Sequence, residues 1–289
     1  MIDRRVLAGG GAALIGAAVL ARAGAHSSPE RAIAEIEARV GARLGVAMRD
    51  TASGAELRYR ADERFPITST FKLLAGAAVL ARVDAGRDSL DRRVRFAKSD
   101  IVAYSPATER HADGEGMTLA EICDAAITLS DNTAGNLLLA AIGGPDGLTQ
   151  YARALGDMVT RLDRIETDLN EARPGDVRDT TSPAAMLGNL EKLLVGEALS
   201  SASRQRLTNW MIANKTGDTR LRAGVPDGWR VGDKTGAGGN GSNNDIAIVW
   251  PPGGKPILIA AYLTECARSV DERNAALADV ARALTSRRN

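Results

Sequence analysis

Apolar residues recur at helical spacing through most of the chain, and strand-like apolar runs gather toward its two ends. Ser28-Pro29-Glu30 followed by RAIAEIEARV supplies a cap, a proline at the first helical position and apolar residues three and four apart, so a helix is predicted to begin here. Residues 44–48 read as a strand, 51–54 as a turn and 56–59 as the hairpin partner. Near the other end, 245–250, 251–254 and 256–264 read as strand, turn and strand, and 270–285 is again helical. Between these ends lie the helix patterns 70–82, 118–128, 133–142, 146–155, 183–194 and 201–212. The stretch 73–80 is apolar on nearly every face, which predicts a buried helix. Together these elements predict an α/β (α+β) fold. An antiparallel sheet of about five strands is built from both chain ends, roughly 26–60 and 215–289, flanked by helices and joined to an all-helical part at roughly 65–212. No fixed-period repeat or low-complexity linker interrupts it.

Residues 1–25, MIDRRVLAGGGAALIGAAVLARAGA, stand outside this pattern. They combine Arg4 and Arg5, a weakly apolar run over 6–21, and Ala-x-Ala triplets ending at Ala23 and Ala25. This is the arrangement of a secretory signal; the run is short and rich in Ala and Gly for a membrane anchor. The expectation is an exported protein, periplasmic or secreted where no outer membrane exists, with no stable membrane association after removal of the signal. Arg4-Arg5 leaves the general secretory and twin-arginine routes both open.

Composition narrows the chemistry. A chain of 289 residues, 44% apolar, suits one large domain or two closely packed parts. Its 37 basic and 36 acidic residues nearly balance; without residues 1–25, which carry three arginines and one aspartate, the net charge is −1. Such balance gives no footprint for nucleic acid. With only His26, His111, Cys123 and Cys266, multi-histidine zinc sites, four-cysteine clusters and dense disulfide frameworks are excluded, and no metal or cofactor is expected. Only six of the 37 basic residues are lysine, so the position of each lysine is informative.

Four segments could carry chemistry, and each also has an ordinary structural explanation. Ser69-Thr70-Phe71-Lys72 opens the buried helix; a helix starting near Ser69 places hydroxyl and amine on one face, beside free N–H groups and the positive dipole end. The same residues could equally be a cap and a paired lysine. Ser130-Asp131-Asn132 lies between two helix patterns, where these residue types are also favoured caps. Lys234-Thr235-Gly236 lies in a strand-like context whose glycines allow a ligand close to the backbone, with donors for a carboxylate. Lys215-Thr216-Gly217 repeats the triplet after a helix pattern, where Gly217 reads as a helix C-cap or turn. Residues 161–179, RLDRIETDLNEARPGDVRD, are charged at ten of nineteen positions and read as a long loop; one helical turn there would point Glu166 and Asn170 the same way. A solvated loop closed by Arg164 and Asp179 is the plainer explanation.

The four segments in this order resemble the class A serine β-lactamases, relatives of the penicillin-binding proteins, over roughly residues 28–288, including HADGEGMTLAEIC and NKTGDTRLRAGVP. The resemblance implies a D,D-peptidase/β-lactamase-like fold and hydrolysis of β-lactams through an acyl-enzyme. It implies Ser69 as nucleophile, with the N–H groups of Ser69 and Ala237 holding the oxyanion. Lys72 and Glu166 are both candidates for the acylation base, Glu166 and Asn170 serve deacylation, and Ser130 relays a proton to the ring nitrogen. Lys234, Thr235, Gly236 and Arg220 would meet the substrate carboxylate, Asn132 its side-chain amide, and Tyr104 would border the entrance. A lysine acting as a base needs a lowered pKa, which burial and Lys234 could produce.

The chain departs from two disulfides found within the family, since Gly76 and the pair Thr68 and Gly238 stand where cysteines would be needed. Cys123 and Cys266 therefore read as free thiols, and His111 as structural. A β-lactam substrate, no nucleic-acid partner and a monomeric state are expected. Two rivals remain: a cell-wall D,D-peptidase, and a penicillin sensor that stays acylated. Neither needs the segment from Glu166 to Asn170.

Overall fold

The computed structural model describes residues 28–286; the secretory segment read from the sequence lies outside them. The first helix, α1 (Pro29–Val40), starts as its sequence directs, with the Ser28 hydroxyl accepting from Arg31 N at 3.3 Å and Pro29 in the first turn. Five strands form one antiparallel sheet: β1 (Arg43–Asp50), β2 (Glu56–Tyr59), β3 (Arg230–Ala237), β4 (Asn243–Trp250) and β5 (Ile257–Thr264). Their order is β2-β1-β5-β4-β3, so the two chain ends interleave and β3 lies at an edge.

Side chains alternate across this sheet and so build two cores. Ile246, Ile248, Leu258, Ala260 and Tyr262 face one, together with α2 (Phe71–Asp84), α3 (Leu119–Thr128), α4 (Asn132–Ile142), α5 (Gly144–Ala154), α6 (Pro183–Leu194) and α7 (Ser201–Ile212). Ala247, Val249, Ile257, Ile259 and Leu263 face the other, covered by α1, by α8 (Leu221–Gly224) and by α9 (Val270–Thr285). Every residue from Phe71 to Leu80 of α2 is buried, as its unbroken apolar character requires. A fully buried leucine there stabilises the fold by ~1.5–3 kcal/mol relative to exposure.

The helix expected over 70–82 is α2, and Ser69 lies just ahead of it in a 3₁₀ turn, Thr68–Thr70, that runs directly into the helix. Thr68 has φ +45°, and the Thr70 hydroxyl donates back to Ile67 O at 2.6 Å, which tightens that turn. Of the two readings of Gly217, helix C-cap or turn, the structure shows the turn: Arg220 N donates to Gly217 O at 2.9 Å, while α7 is closed by Ala213 in an ordinary helical conformation. Residue 217 is glycine because Asp233 packs where its Cβ would lie.

Loop 161–179 closes on itself. Arg161 N donates to Thr180 O (2.9 Å), the N–H groups of Asp163 and Arg164 donate to Asp179 Oδ1 (2.8 and 2.9 Å), and Arg164 Nε donates to Asp179 Oδ2 (2.6 Å). Asp179 is 1% exposed, so it joins the two ends of the loop away from water. Asp179→Ala should therefore cost about 2–4 kcal/mol in chemical denaturation, because it leaves Arg164 Nε and two N–H groups without an acceptor, while Arg164 keeps its ion pair with Glu171. A loss below about 1 kcal/mol would mean that the loop is held elsewhere.

Candidate active site

The turn carrying Ser69 is fixed from three sides. Tyr262 and Thr70 hydroxyls lie 3.0 Å apart, and Asn244 Nδ2 donates to Pro66 O (2.8 Å) and Thr68 Oγ1 (2.9 Å). Gly236 of β3 lets the strand edge close on the turn: a Cβ there would strike Thr68 Oγ1 and lie 3.2 Å from Ser69 N. That approach puts Ala237 on the same cleft as Ser69.

The cleft measures about 280 Å³ and is lined by Ser69, Tyr104, Ser130, Asn132, Asn170, Thr216, Arg220, Thr235, Gly236 and Ala237. Lys72, Glu166 and Lys234 are buried behind this lining, at 0%, 3% and 0% exposure. Four oxygens converge on Lys72 Nζ: Ser69 Oγ (2.9 Å), Ser130 O (2.8 Å), Asn132 Oδ1 (2.6 Å) and Glu166 Oε1 (2.9 Å). Ser69 Oγ also donates to Glu166 Oε1 at 3.3 Å. The nucleophile, amine and carboxylate therefore form one triangle. Burial pushes the Lys72 amine below the ordinary lysine range, and the Glu166 and Asp131 carboxylates oppose that shift.

Ser130 has φ +58°, a backbone that aims its carbonyl at Lys72 and its hydroxyl at Lys234, whose Nζ donates to Ser130 Oγ (2.9 Å) and Thr235 O (2.8 Å). Asp131 holds this turn: its carboxylate caps α4 at Ala134 N and accepts from Ala107 N, Thr108 N and Thr108 Oγ1 at 2.8–3.0 Å. Asn132 divides its amide between Lys72 and Ala103 O (2.9 Å) and still borders the cleft. Tyr104, 62% exposed, stands at the rim.

Glu166 comes from loop 161–179, where a 3₁₀ turn at Asp168–Asn170 brings Asn170 Nδ2 onto Glu166 Oε2. Asn170 Oδ1 is buried without a protein partner among the described residues. The sequence reading missed Asn136 of α4, whose amide accepts from Glu166 N (2.8 Å) and donates to Glu166 O (3.0 Å). The available signal was its place one helical turn after Asn132. It also missed Thr216, whose hydroxyl bonds that of Thr235. The lysine before it, Lys215, is exposed, so of the two Lys-Thr-Gly triplets only Lys234 is buried behind the cleft.

Arg220 is 9% exposed and donates to Gly236 O (2.7 Å), Asn244 O (2.8 Å) and Asn274 Oδ1 (3.1 Å). Among the described residues, neither Arg220 nor Lys234 forms an ion pair within 4.0 Å. The buried Asp233 and Asp245 carboxylates offset both cations only from a longer distance, so an anion reaching the cleft can make the direct contact that they do not. Burial, then the nearby Lys72 and Arg220 charges, push the Lys234 amine well below its ordinary value. Among the described residues no group of three or more His, Cys, Asp or Glu side chains could hold a metal ion. Cys123 and Cys266 are free and buried.

This pKa direction fixes the sign of a pH effect. An anionic substrate needs charged Lys234, so kcat/KM should fall on the basic side at a pH below that at which an exposed lysine titrates, ~10.4. Lys234→Arg, which keeps its charge, should move that limb upward. A limb unmoved by the substitution would assign it to another group.

Comparison with known proteins places this geometry in a family. Residues 28–287 match the model of the β-lactamase enzyme family. The chain is 51% identical over 255 residues to β-lactamase FAR-1 of Nocardia farcinica, covering 88% of this chain and 80% of that protein. It is 50% identical over 251 residues to β-lactamase AST-1 of Nocardia asteroides, covering 87% and 81%. Among solved structures, an ancestral class A β-lactamase superposes with a TM-score of 0.88 at 61% identity, covering 89% of this chain and 98% of that one. The putative class A β-lactamase PenP of Rhodopseudomonas palustris gives 0.87 at 59% identity, covering 89% and 98%. The chain belongs to the class A branch of the β-lactamase enzyme family.

Proposed function

We propose that this enzyme hydrolyses the β-lactam amide through an acyl-enzyme on Ser69, giving its host resistance to β-lactam antibiotics. The observation that carries the reading is the contact of Ser69 Oγ with both Lys72 Nζ (2.9 Å) and Glu166 Oε1 (3.3 Å). A hydroxyl is a weak nucleophile until a base takes its proton. Lys72 and Glu166 lie 2.9 Å apart, so the pair accepts that proton as a unit.

As Ser69 Oγ bonds to the lactam carbon, negative charge builds on the carbonyl oxygen, and the N–H groups of Ser69 and Ala237 stabilise it. The C–N bond then breaks, and the ring nitrogen takes a proton from Ser130, whose hydroxyl is bonded to Lys234 Nζ and regains a proton from the Lys72–Glu166 pair, which thereby passes on the one taken from Ser69. Lys234, Arg220, Thr235 and the close backbone at Gly236 receive the substrate carboxylate, and Thr216 joins them through Thr235. Asn132 meets the side-chain amide, with Tyr104 at the rim. In the second half, Glu166 takes a proton from a water that Asn170 helps to orient. The water oxygen bonds to the ester carbon, and Ser69 leaves with its proton restored.

The same water step argues against the two rivals. A D,D-peptidase and a permanently acylated sensor have no use for a buried carboxylate 3.3 Å from the nucleophile. Glu166→Ala should let penicillin acylate Ser69 and then stall, adding the mass of the intact drug to the protein for many turnover times. Protein free of adduct at every time point would refute the role given to Glu166.

We also propose that the protein is exported on residues 1–25, supported by their basic start, weakly apolar run and Ala-x-Ala triplets. No helix among the described residues is long and apolar enough to cross a membrane. Expression of the full chain in a Gram-negative host should yield periplasmic enzyme whose intact mass starts at residue 24 or 26. Cytoplasmic protein retaining residues 1–25 would sink this assignment.

A further inference from the structure

An α-helix leaves the N–H groups of its first turn without partners inside the helix. In α4 two of them are met from a separate segment: Asn132 N donates to Tyr104 O (3.0 Å) and Thr133 N to Ser105 Oγ (3.1 Å). The Asn132 side chain follows the same pattern, its Nδ2 donating to Ala103 O (2.9 Å). Two successive carbonyls of one loop thus hold both nitrogens of a residue that borders the cleft.

Those carbonyls flank a left-handed tyrosine. Tyr104 has φ +59°, a sparsely populated conformation for a bulky side chain, which persists only where the surroundings over-determine it. The surroundings here include two buried hydroxyls. Val102 N donates to Thr133 Oγ1 (3.0 Å), Thr133 Oγ1 lies 2.8 Å from Ser105 Oγ, and Ser105 Oγ lies 2.8 Å from Val102 O. Each hydroxyl has one proton to give. Ser105 gives its proton to Val102 O, so Thr133 gives its own to Ser105 rather than to Asp100 O, 3.4 Å away. The donors therefore run from the Val102 N–H through both hydroxyls and back to the Val102 carbonyl, a closed ring anchored on α4. Thr133 is 1% exposed and Ser105 5%, so water does not compete for these bonds.

We propose, resting on the function given above, that Thr133 is a positioning residue. With Ser105 it fixes residues 102–105 so that Ala103 O and Tyr104 O aim Asn132 at the side-chain amide of the substrate. Lys72 is only a donor, so Asn132 must turn Oδ1 toward it (2.6 Å) and Nδ2 toward the loop. Of the two Nδ2 protons, Ala103 O takes one and the other is available to an acceptor in the cleft. Without the hydroxyl ring, Tyr104 can leave its left-handed backbone, and the carbonyls beside it move with it. Lys72 keeps its contacts to Ser69, Ser130 and Glu166. The ring therefore acts on recognition of the acyl side chain more than on attack at the lactam carbonyl.

Three substitutions test this. Thr133→Val keeps the shape and removes the hydroxyl, Ser105→Ala breaks the ring at its other member, and Thr133→Ser keeps the hydroxyl. Each would be compared with wild type on benzylpenicillin, which carries a side-chain amide, and on 6-aminopenicillanic acid, which has an amine in its place. The ratio of kcat/KM for the two substrates should fall about five- to thirty-fold in Thr133→Val and Ser105→Ala, mainly through a raised KM for benzylpenicillin. In Thr133→Ser it should stay within about twofold of wild type. An unchanged ratio in either of the first two variants that folds would overturn the proposal. An equal fall on both substrates, or a Thr133→Ser ratio as low as that of Thr133→Val, would do the same. Wild type that opens neither substrate would instead overturn the function on which the proposal rests.

Discussion

Lys72 has no exposure to solvent, and an ion in that position costs several kcal/mol unless its surroundings replace the lost water. They do so with four oxygens from three segments: the Ser69 turn, the turn 130–132 that opens α4, and loop 161–179. None of these segments can move far without stranding the ammonium. The requirement to solvate one amine therefore holds the site together, and many nearby features serve it: the left-handed Ser130, the Asp131 cap and the Asn136 clamp on Glu166. Lys234, equally buried, has no carboxylate within ion-pairing distance among the described residues and is offset only at longer range by Asp233 and Asp245. One cation is paired by direct contact, and the other keeps room for an anionic ligand.

The limits of the sequence reading follow from the range of the interactions involved. Helices with strong local signals came out nearly to the residue: the pattern at 201–212 is α7, Ser201–Ile212, because a serine cap and apolar spacing are local facts. Strand β2 matched because Thr51 to Gly54 forces a turn before it. The 3₁₀ turn before α2 was not legible, because Thr68 in its left-handed backbone is held by Asn244, a residue 176 positions away. The turn at Gly217 was legible, but not why it must be glycine, since its constraint is Asp233 on strand β3.

The site was legible where residue types are chemically unusual together, as in Ser69 with Lys72. It was not legible where an ordinary amide does the positioning, as with Asn136, because an asparagine on a helix carries no mark of its partner. The lowered pKa of Lys72 was expected from burial and Lys234; burial is what lowers it, and Glu166 and Asp131 pull the other way.

Among the described residues strand β3 pairs only with β4, so one of its sides is an unpaired sheet edge. Such an edge is ordinarily a template for another protein strand and an aggregation hazard. Here it is sunk at the bottom of a cleft of about 280 Å³, with the Ser69 turn packed against Gly236 and loop 161–179 drawn over the far end. A second sheet would need the whole edge clear, and the Ser69 turn and the loop leave only the backbone around 235–237 facing the cleft. The cover turns a row of backbone groups from a liability in self-association into a ligand-facing surface.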